Sequence, residues 1–458
     1  MLIEYNLLNG NINGNFKDNT VFESSRAVVI CFGRLYHNID TLDADRLFFS
    51  PSDYISNPFI LINYSKTDKL LTIKQDFFGG NSNLFFCCKD NILFISQSLQ
   101  ELKSASNIPY MLNISCLPSF ICNGFIAGEP TLIQNVFKLA PGCEIFISTD
   151  SIKINQTKYC SFYNNIANPA KNYDFLMRNA IYRSTEHLDS SRYNIALSGG
   201  YDSNCILHYI RELHPKSAIS AFSVGGTRGV DETKTARRIC QIYGNSDFSA
   251  ALVNPHTLDN MDEITYLLEG SVYERGIFLQ YELGRLLKDK GCRSLICGEC
   301  ADQVFHSKLF DFAPDNTFNF GYWDNPYEMA CCVVLKKSVL TMNYFNITPA
   351  YPFLDSNVVK FAYSIRNENG RTKEFHKRMC SEIISPKVLP LISKQGGTTS
   401  MAALFDESFD AIGSAKKMKY YDNNFKLTEK YPHDEAAYDY YLTLLYLESF
   451  EKQFCDKN

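Results

Sequence analysis

Six residues, Ser198-Gly199-Gly200-Tyr201-Asp202-Ser203, bring two serine hydroxyls, a glycine pair and a carboxylate into one short span. The apolar run Tyr193 to Leu197 before them predicts a buried parallel strand. Cys205, Ile206, Ile210 and Leu213 after them recur at helical spacing. In a strand, glycine turn and helix, the backbone comes close to an anion, the first helical amides point at it, and Ser198 and Ser203 add hydroxyl donors. The anion this predicts is a phosphate group, although the Gly-Lys-Ser/Thr ending of a Walker loop is absent. A second acidic turn, Gly298-Glu299-Cys300-Ala301-Asp302-Gln303-Val304-Phe305, follows the predicted strand Ser294 to Cys297. Asp202 and Asp302 read either as helix caps or as paired oxygen ligands for magnesium on the phosphates.

The elements that must position these turns alternate. Ala218 to Val224 predicts a strand ending in Gly225-Gly226, and Asp231-Glu232-Thr233 opens a helix with Ala236, Ile239, Cys240 and Ile242 on one face. Phe248 to Val253 predicts a further strand, and Asp262 to Lys290 a helical region. Such alternation means an α/β fold with a parallel sheet, whose ligands bind at the carboxyl ends of the strands, where the glycine turns lie. The first 149 residues differ. Short apolar runs at Ala27 to Phe32, Phe59 to Tyr64, Leu84 to Cys88 and Ile92 to Ser96, punctuated by Asn, Gly, Asp and Ser, predict antiparallel hairpins. The boundary falls in the polar stretch Asn155 to Asn168, giving domains over residues 1–155 and 170–458. From about Leu309 the chain turns helical and aromatic, and the tail beyond Asp406 predicts a terminal packing helix.

A length of 458 residues, 45% hydrophobic and 21% charged, suits two globular domains. A net charge of -5 without a basic stripe argues against nucleic acid as a partner. No charged leader and no bilayer-length apolar run stand in the sequence, which predicts a cytosolic protein with no membrane partner. The 16 cysteines then read as reduced and mostly buried, and Cys297 and Cys300 have CxxC spacing without a second pair to complete a zinc site.

The Ser-Gly-Gly-x-Asp-Ser pattern resembles the PP-loop of ATP pyrophosphatases, which cleave ATP between its α and β phosphates. Further motifs, in order, resemble glutamine-dependent asparagine synthetases: Thr131-Leu132, Ile133, Val136, Lys138-Leu139 and Pro141-Gly142 ahead of the loop, then Glu299 and Asp302, then Tyr351-Pro352-Phe353-Leu354-Asp355. The family's continuation after the acidic turn is glycine-rich where this chain has His306-Ser307-Lys308, and its arginine before Pro-Phe-Leu-Asp is missing here. The resemblance implies an amino-terminal amidotransferase-type domain, and then a synthetase domain binding ATP and Mg2+. Ser198, Gly199, Gly200, Asp202, Ser203, Val224 and Gly298 are implied to hold the nucleotide, Asp202 and Asp302 the metal, and Glu299 and Lys394 to be catalytic. Lys394, followed by Gln395-Gly396-Gly397, matches a lysine that reaches back to the adenylation site; Lys373, Lys377 and Arg378 rank behind it. The family's glutaminase nucleophile is a cysteine after the initiator methionine, where this chain has Leu2, and the nearest cysteine, Cys31, sits in an apolar run.

What the resemblance implies is ATP-dependent amide formation through an acyl adenylate, without glutaminase. Relatives that have lost the nucleophile include β-lactam and carbapenam synthetases and the macrolactam cyclases of lasso peptides. Peptide or intramolecular amide formation of the lasso type is the leading expectation. The partners it implies are a carboxylate substrate with its amine and, for a cyclase, a leader-peptide protease or precursor-binding protein. An asparagine-forming enzyme using free ammonia, a β-lactam-type cyclase and a nucleotide-binding pseudoenzyme stand as alternatives.

Overall fold

The computed structural model describes residues 1–15, 20–35, 55–79, 83–156, 169–186, 188–228, 231–244, 247–305, 329–365, 372–392, 401–422 and 433–456. The amino-terminal part is two antiparallel sheets. Burial alternates along Leu2–Asn6, with Ile3 and Tyr5 inward, and this strand pairs with Ile12–Asn15 on one side and Ile92–Ser96 on the other. Phe85–Lys89 and Phe137–Lys138 complete five strands. The second sheet runs Ile152–Gln156, Cys143–Ile147, Leu70–Gln75, Ile55–Ser65, Ala27–Leu35, Thr20–Glu23. Ile3, Tyr5, Leu93 and Ile95 of the first sheet meet Ile60, Ile62, Ile73 and Ile145 of the second in one core.

The first sheet has a second use. Period-two alternation puts Phe85, Cys87 and Phe94 on its opposite face, and these join a larger core reaching through Tyr273 and Leu295 to Tyr446 and Phe450. The two parts of the chain therefore share buried apolar surface.

The carboxy-terminal sheet is parallel, in the order Phe248–Val253, Ala218–Gly226, Arg192–Ala196, Ser294–Ile296, Thr348–Ala350. The four strands read from sequence are all present. The fifth is three residues long and contains Pro349, so it offers no periodic pattern, and it is ordered by pairing with Ser294–Ile296. The chain steps outward from Arg192–Ala196 in both directions, which makes the end of that strand the switch point at which open α/β sheets bind ligands. Helices Tyr201–Leu213, Thr233–Ile242 and Ile277–Asp289 are crossovers, and the terminal helix His433–Phe454 packs on Met261–Leu268. No described helix is long and apolar enough to cross a membrane.

Candidate active site

The glycine turn sits at the switch point. Leu197 N–H donates to Phe222 O, and the chain then leaves the sheet and starts the Tyr201–Leu213 helix from Gly200 in extended backbone, with no side chain capping it. Ser198 and Ser203, read from sequence as donors to the anion, brace the turn: Ser198 N–H donates to Ser203 Oγ at 3.1 Å, Gly200 N–H to Ser198 Oγ at 3.2 Å, and the two hydroxyls lie 3.1 Å apart. Buried Asn204 donates to Gly200 O at 2.8 Å. Val224 lies two residues beyond the last pairing of its strand with Arg192–Ala196, half-buried at the carboxyl edge beside the turn. Gly298 approaches the loop so closely that a Cβ there would lie 3.3 Å from Asp202 Cβ and 3.4 Å from Ser203 N. The two acidic turns thus meet, and a side chain at 298 would press on the helix start that carries Asp202.

Their carboxylates converge on one cation. Lys373 Nζ lies 2.5 Å from Asp202 Oδ1 and 2.8 Å from Asp302 Oδ1. His376 Nε2 reaches the same Asp202 oxygen at 2.8 Å, and its Nδ1 meets the Tyr173 hydroxyl at 2.9 Å. Phe305, at the end of the second acidic turn, stacks on the His376 ring with centroids 4.4 Å apart. Burial opposes charge on Asp202, yet Lys373 and His376 outweigh it and hold the carboxyl well below the usual range. Burial likewise works against the Lys373 ammonium, and the two aspartates reverse it and raise its pKa. Lys373 is 4% exposed, whereas Asp202 and Asp302 keep 21% and 20%, so the carboxylates present an open edge that the lysine does not.

Neither aspartate acts as a helix cap by side chain: Asp202 lies in the first turn of its helix and Asp302 in the first turn of Ala301–Val304, and both aim at Lys373. Two hard carboxylate oxygens aimed at one point suit a small cation. The ammonium marks that point, so Asp202 and Asp302 fit a magnesium ion provided Lys373 gives way. Among the described residues no cluster of three or more His, Cys, Asp or Glu is arranged to hold a metal by itself.

The convergence brings in Lys373, which the sequence reading placed behind Lys394, and His376, which it did not single out. Residues 373, 376 and 380 share one face of the Lys373–Ile383 helix, with Cys380 buried, so the helical period itself put a lysine and a histidine on the inward side. Their setting among Arg371, Lys377 and Arg378 hid that signal.

Glu299 is half-buried and accepts from Gln280 Nε2 at 2.7 Å. Burial raises its pKa, with Glu274 and Asp302 adding to the effect and Lys337 and Gln280 opposing it; Lys337 is itself paired with Glu274. The CxxC thiols, Cys297 and Cys300, are buried and pushed well above their ordinary range by desolvation, and the described cysteines are free thiols. Asp355 of the Pro-Phe-Leu-Asp motif serves the fold, capping the Ser356–Ser364 helix through Asn357 N–H and accepting two bonds from Arg183. Leu2 lies in the strand Leu2–Asn6, and desolvation pushes the buried Cys31 thiol up to about 12. Lys394, His306, Ser307 and Lys308 lie outside the described residues.

With this geometry in place, comparison with known proteins addresses the chemistry. Residues 177–330 match the sequence model of the asparagine synthase family. That segment contains the glycine turn, Asp202, Gly298, Glu299 and Asp302, and the match supports an ATP-dependent ligase that forms carbon–nitrogen bonds. Lys373 lies beyond it. No curated protein matches the chain significantly. Solved structures overlap it in part. A U34-tRNA thiolase, NcsA, from Methanococcus maripaludis with its [4Fe-4S] cluster is 12% identical, covering 52% of this chain and 83% of that one at a TM-score of 0.26. An allosteric regulatory enzyme of purine biosynthesis is 9% identical over 55% of this chain and 65% of that one, at 0.22. The glutamine phosphoribosylpyrophosphate amidotransferase of B. subtilis, complexed with ADP and GMP, is 9% identical over 52% and 64%, at 0.21. The chain spans a little under two thirds of the last two, and overlaps of this looseness decide nothing about activity.

Proposed function

We propose that the chain activates a substrate carboxylate as its adenylate and passes the acyl group to an amine. The observation that carries this is the convergence of Asp202, Asp302 and Lys373 beside a glycine turn at the sheet's switch point. A carboxylate oxygen attacks the α-phosphorus of ATP and pyrophosphate leaves; the amine then attacks the acyl carbon, AMP leaves, and the amine's proton goes to a base. The glycine turn receives phosphate oxygens with its amides. Asp202 and Asp302 are the residues that would hold magnesium, which when bound neutralises phosphate charge. Lys373, released from the aspartates, supplies a compact cation to the reacting phosphate, and Lys394 is a second candidate for that role. Glu299, whose pKa burial raises, takes the amine's proton as base in this reading.

The substrate class is a peptide or other chain carrying both carboxylate and amine, closed into a macrolactam, because Phe305-His306-Ser307 stands where the synthetase pattern runs to glycine. A leader-peptide protease or precursor-binding protein belongs with that reading. The glutamate at 299 favours a second one, formation of asparagine from free ammonia. Exchange of labelled pyrophosphate into ATP, run with a precursor peptide and separately with aspartate plus ammonium, distinguishes the two. Absence of exchange with any carboxylate, and equal exchange in Asp202→Asn, would each refute the adenylation chemistry.

A further inference from the structure

The segment leading into the Ile277–Asp289 helix sets Tyr273 and Arg275 against one face of the terminal helix His433–Phe454: the Tyr273 and Tyr446 rings lie 5.3 Å apart, and Arg275 Nη1 lies 3.5 Å from Glu435 Oε2. Asp439, one turn on from Glu435, shares that face. Four carboxylates gather here around two cations. Glu274 pairs with Lys337, and Glu435, beside Arg275, also accepts from Met401 N–H at 3.0 Å. Glu299 and Asp439 stand outside those pairs, with Glu274 acting on both. Asp439 is half-buried, and among the described residues its carboxylate accepts no hydrogen bond. Arg275 offsets its charge only in part: burial, Glu274 and Glu435 outweigh the guanidinium and hold the carboxyl up at about 6.

Tyr273 is 3% exposed, and its hydroxyl has no hydrogen-bond partner, although buried hydroxyls are ordinarily bonded. The charged groups acting on that hydroxyl are Asp439 first, then Glu274 and Arg275. A phenol oxygen and a carboxylate left open near each other call for a cation that donates hydrogen bonds. Among the described residues no three acids are arranged to hold a metal ion. We propose that Asp439 and Tyr273, with Glu274 beside them, form a subsite for the substrate's amine in its ammonium form and hold the nitrogen for Glu299. This rests on the amide-forming reading above. Attack needs a lone pair, so the bound ammonium first gives one proton to Asp439; a second goes to Glu299 as the carbon–nitrogen bond forms and AMP leaves.

Methylammonium is the probe. Titration of the 13C-labelled aspartates by NMR, in the full chain without ATP, should show the Asp439 pKa falling by about one unit or more at saturating methylammonium. Potassium and tetramethylammonium, which have no N–H, should leave it in place at equal ionic strength. The melting temperature should rise with methylammonium along a saturating curve; Asp439→Asn should weaken half-saturation by about tenfold or more, and Tyr273→Phe by about threefold. Should Asp439→Asn not fold, the titration of the parent and the Tyr273→Phe curve still decide. Tighter binding of plain ammonium than of methylammonium would support the subsite with free ammonia as the amine. An unmoved Asp439, an equal response to potassium or tetramethylammonium, or a response that both variants retain unchanged overturns the proposal. Because no ATP is present, such a failure strikes the subsite alone, whereas failed pyrophosphate exchange strikes the adenylation reading.

Discussion

Lys373→Met tests the centre of the site, because the ammonium it removes touches both aspartates, at 2.5 and 2.8 Å. The two oxygens then lie about 5 Å apart or less with no cation between them. At an effective dielectric of about 20, that is about 3 kcal/mol of repulsion. Removing one partner from a buried ion pair costs about 3–5 kcal/mol, and His376 on Asp202 places the expected loss at the lower end. The sign with pH follows. Without the lysine the pair shares a proton, so its pKa rises above the unfolded aspartate value, and the variant loses more stability as pH rises through that raised value. Urea unfolding at pH 5 and pH 8 measures this. Adding Asp302→Asn to Lys373→Met should restore most of the loss, and millimolar magnesium should raise the melting temperature of Lys373→Met much more than that of the parent. Pyrophosphate exchange should fall by about a hundredfold or more. A variant that unfolds like the parent at both pH values, gains nothing from the second substitution and ignores magnesium would show that the three groups are not coupled.

Three further outcomes are expected. Gly298→Val should slow pyrophosphate exchange by about tenfold or more, since the new Cβ meets Asp202 Cβ at 3.3 Å and its branches add to the crowding; steady-state kinetics at saturating ATP decides it, and a normal rate refutes the close-approach argument. Burial raises the Glu269 carboxyl to about 7 against the hydrogen bonds of Ser98 and Leu99, so the folded state holds that proton more tightly than the unfolded chain and loses stability as pH rises from about 4.5 to 7. Glu269→Gln should therefore gain on the parent across that window, up to about 3 kcal/mol, and a pH-independent difference between the two unfolding curves would count against it. Glutamine should not be hydrolysed, because Leu2 has no thiol and the Cys31 thiol is pushed up to about 12; glutamate released from glutamine by the purified chain, followed by an enzyme-coupled assay, would overturn this.

The glycine turn, the other four parallel strands and the amino-terminal hairpins were legible because each is a local pattern: a run of apolar residues, a period, a turn residue. Thr348–Ala350 was not, since three residues around a proline acquire their conformation from the neighbouring strand. The same division runs through the site. Gly298 and Asp302 were visible in one turn, but that Gly298 abuts Asp202 depends on the sheet that brings residues about a hundred positions apart together.

Lys373 shows how that division misleads. In sequence it is one cation of five in Arg371 to Arg378, counting His376, and charge runs of this kind are ordinarily solvated. The fold turns the face holding 373, 376 and 380 inward, and two carboxylates from the first turns of separate helices provide the charge that a buried ammonium requires. Removing either aspartate should therefore be felt first at the lysine. With one carboxylate gone, desolvation is less fully offset, and the Lys373 pKa should fall in Asp202→Asn and in Asp302→Asn alike. Asp202→Asn should have the larger effect, since that carboxylate makes the shorter contact and is the stronger of the two influences on Lys373. Titration of the 13C-labelled lysine side chains by NMR reads this directly, and an unmoved Lys373 resonance in both variants would mean that the aspartates do not hold it.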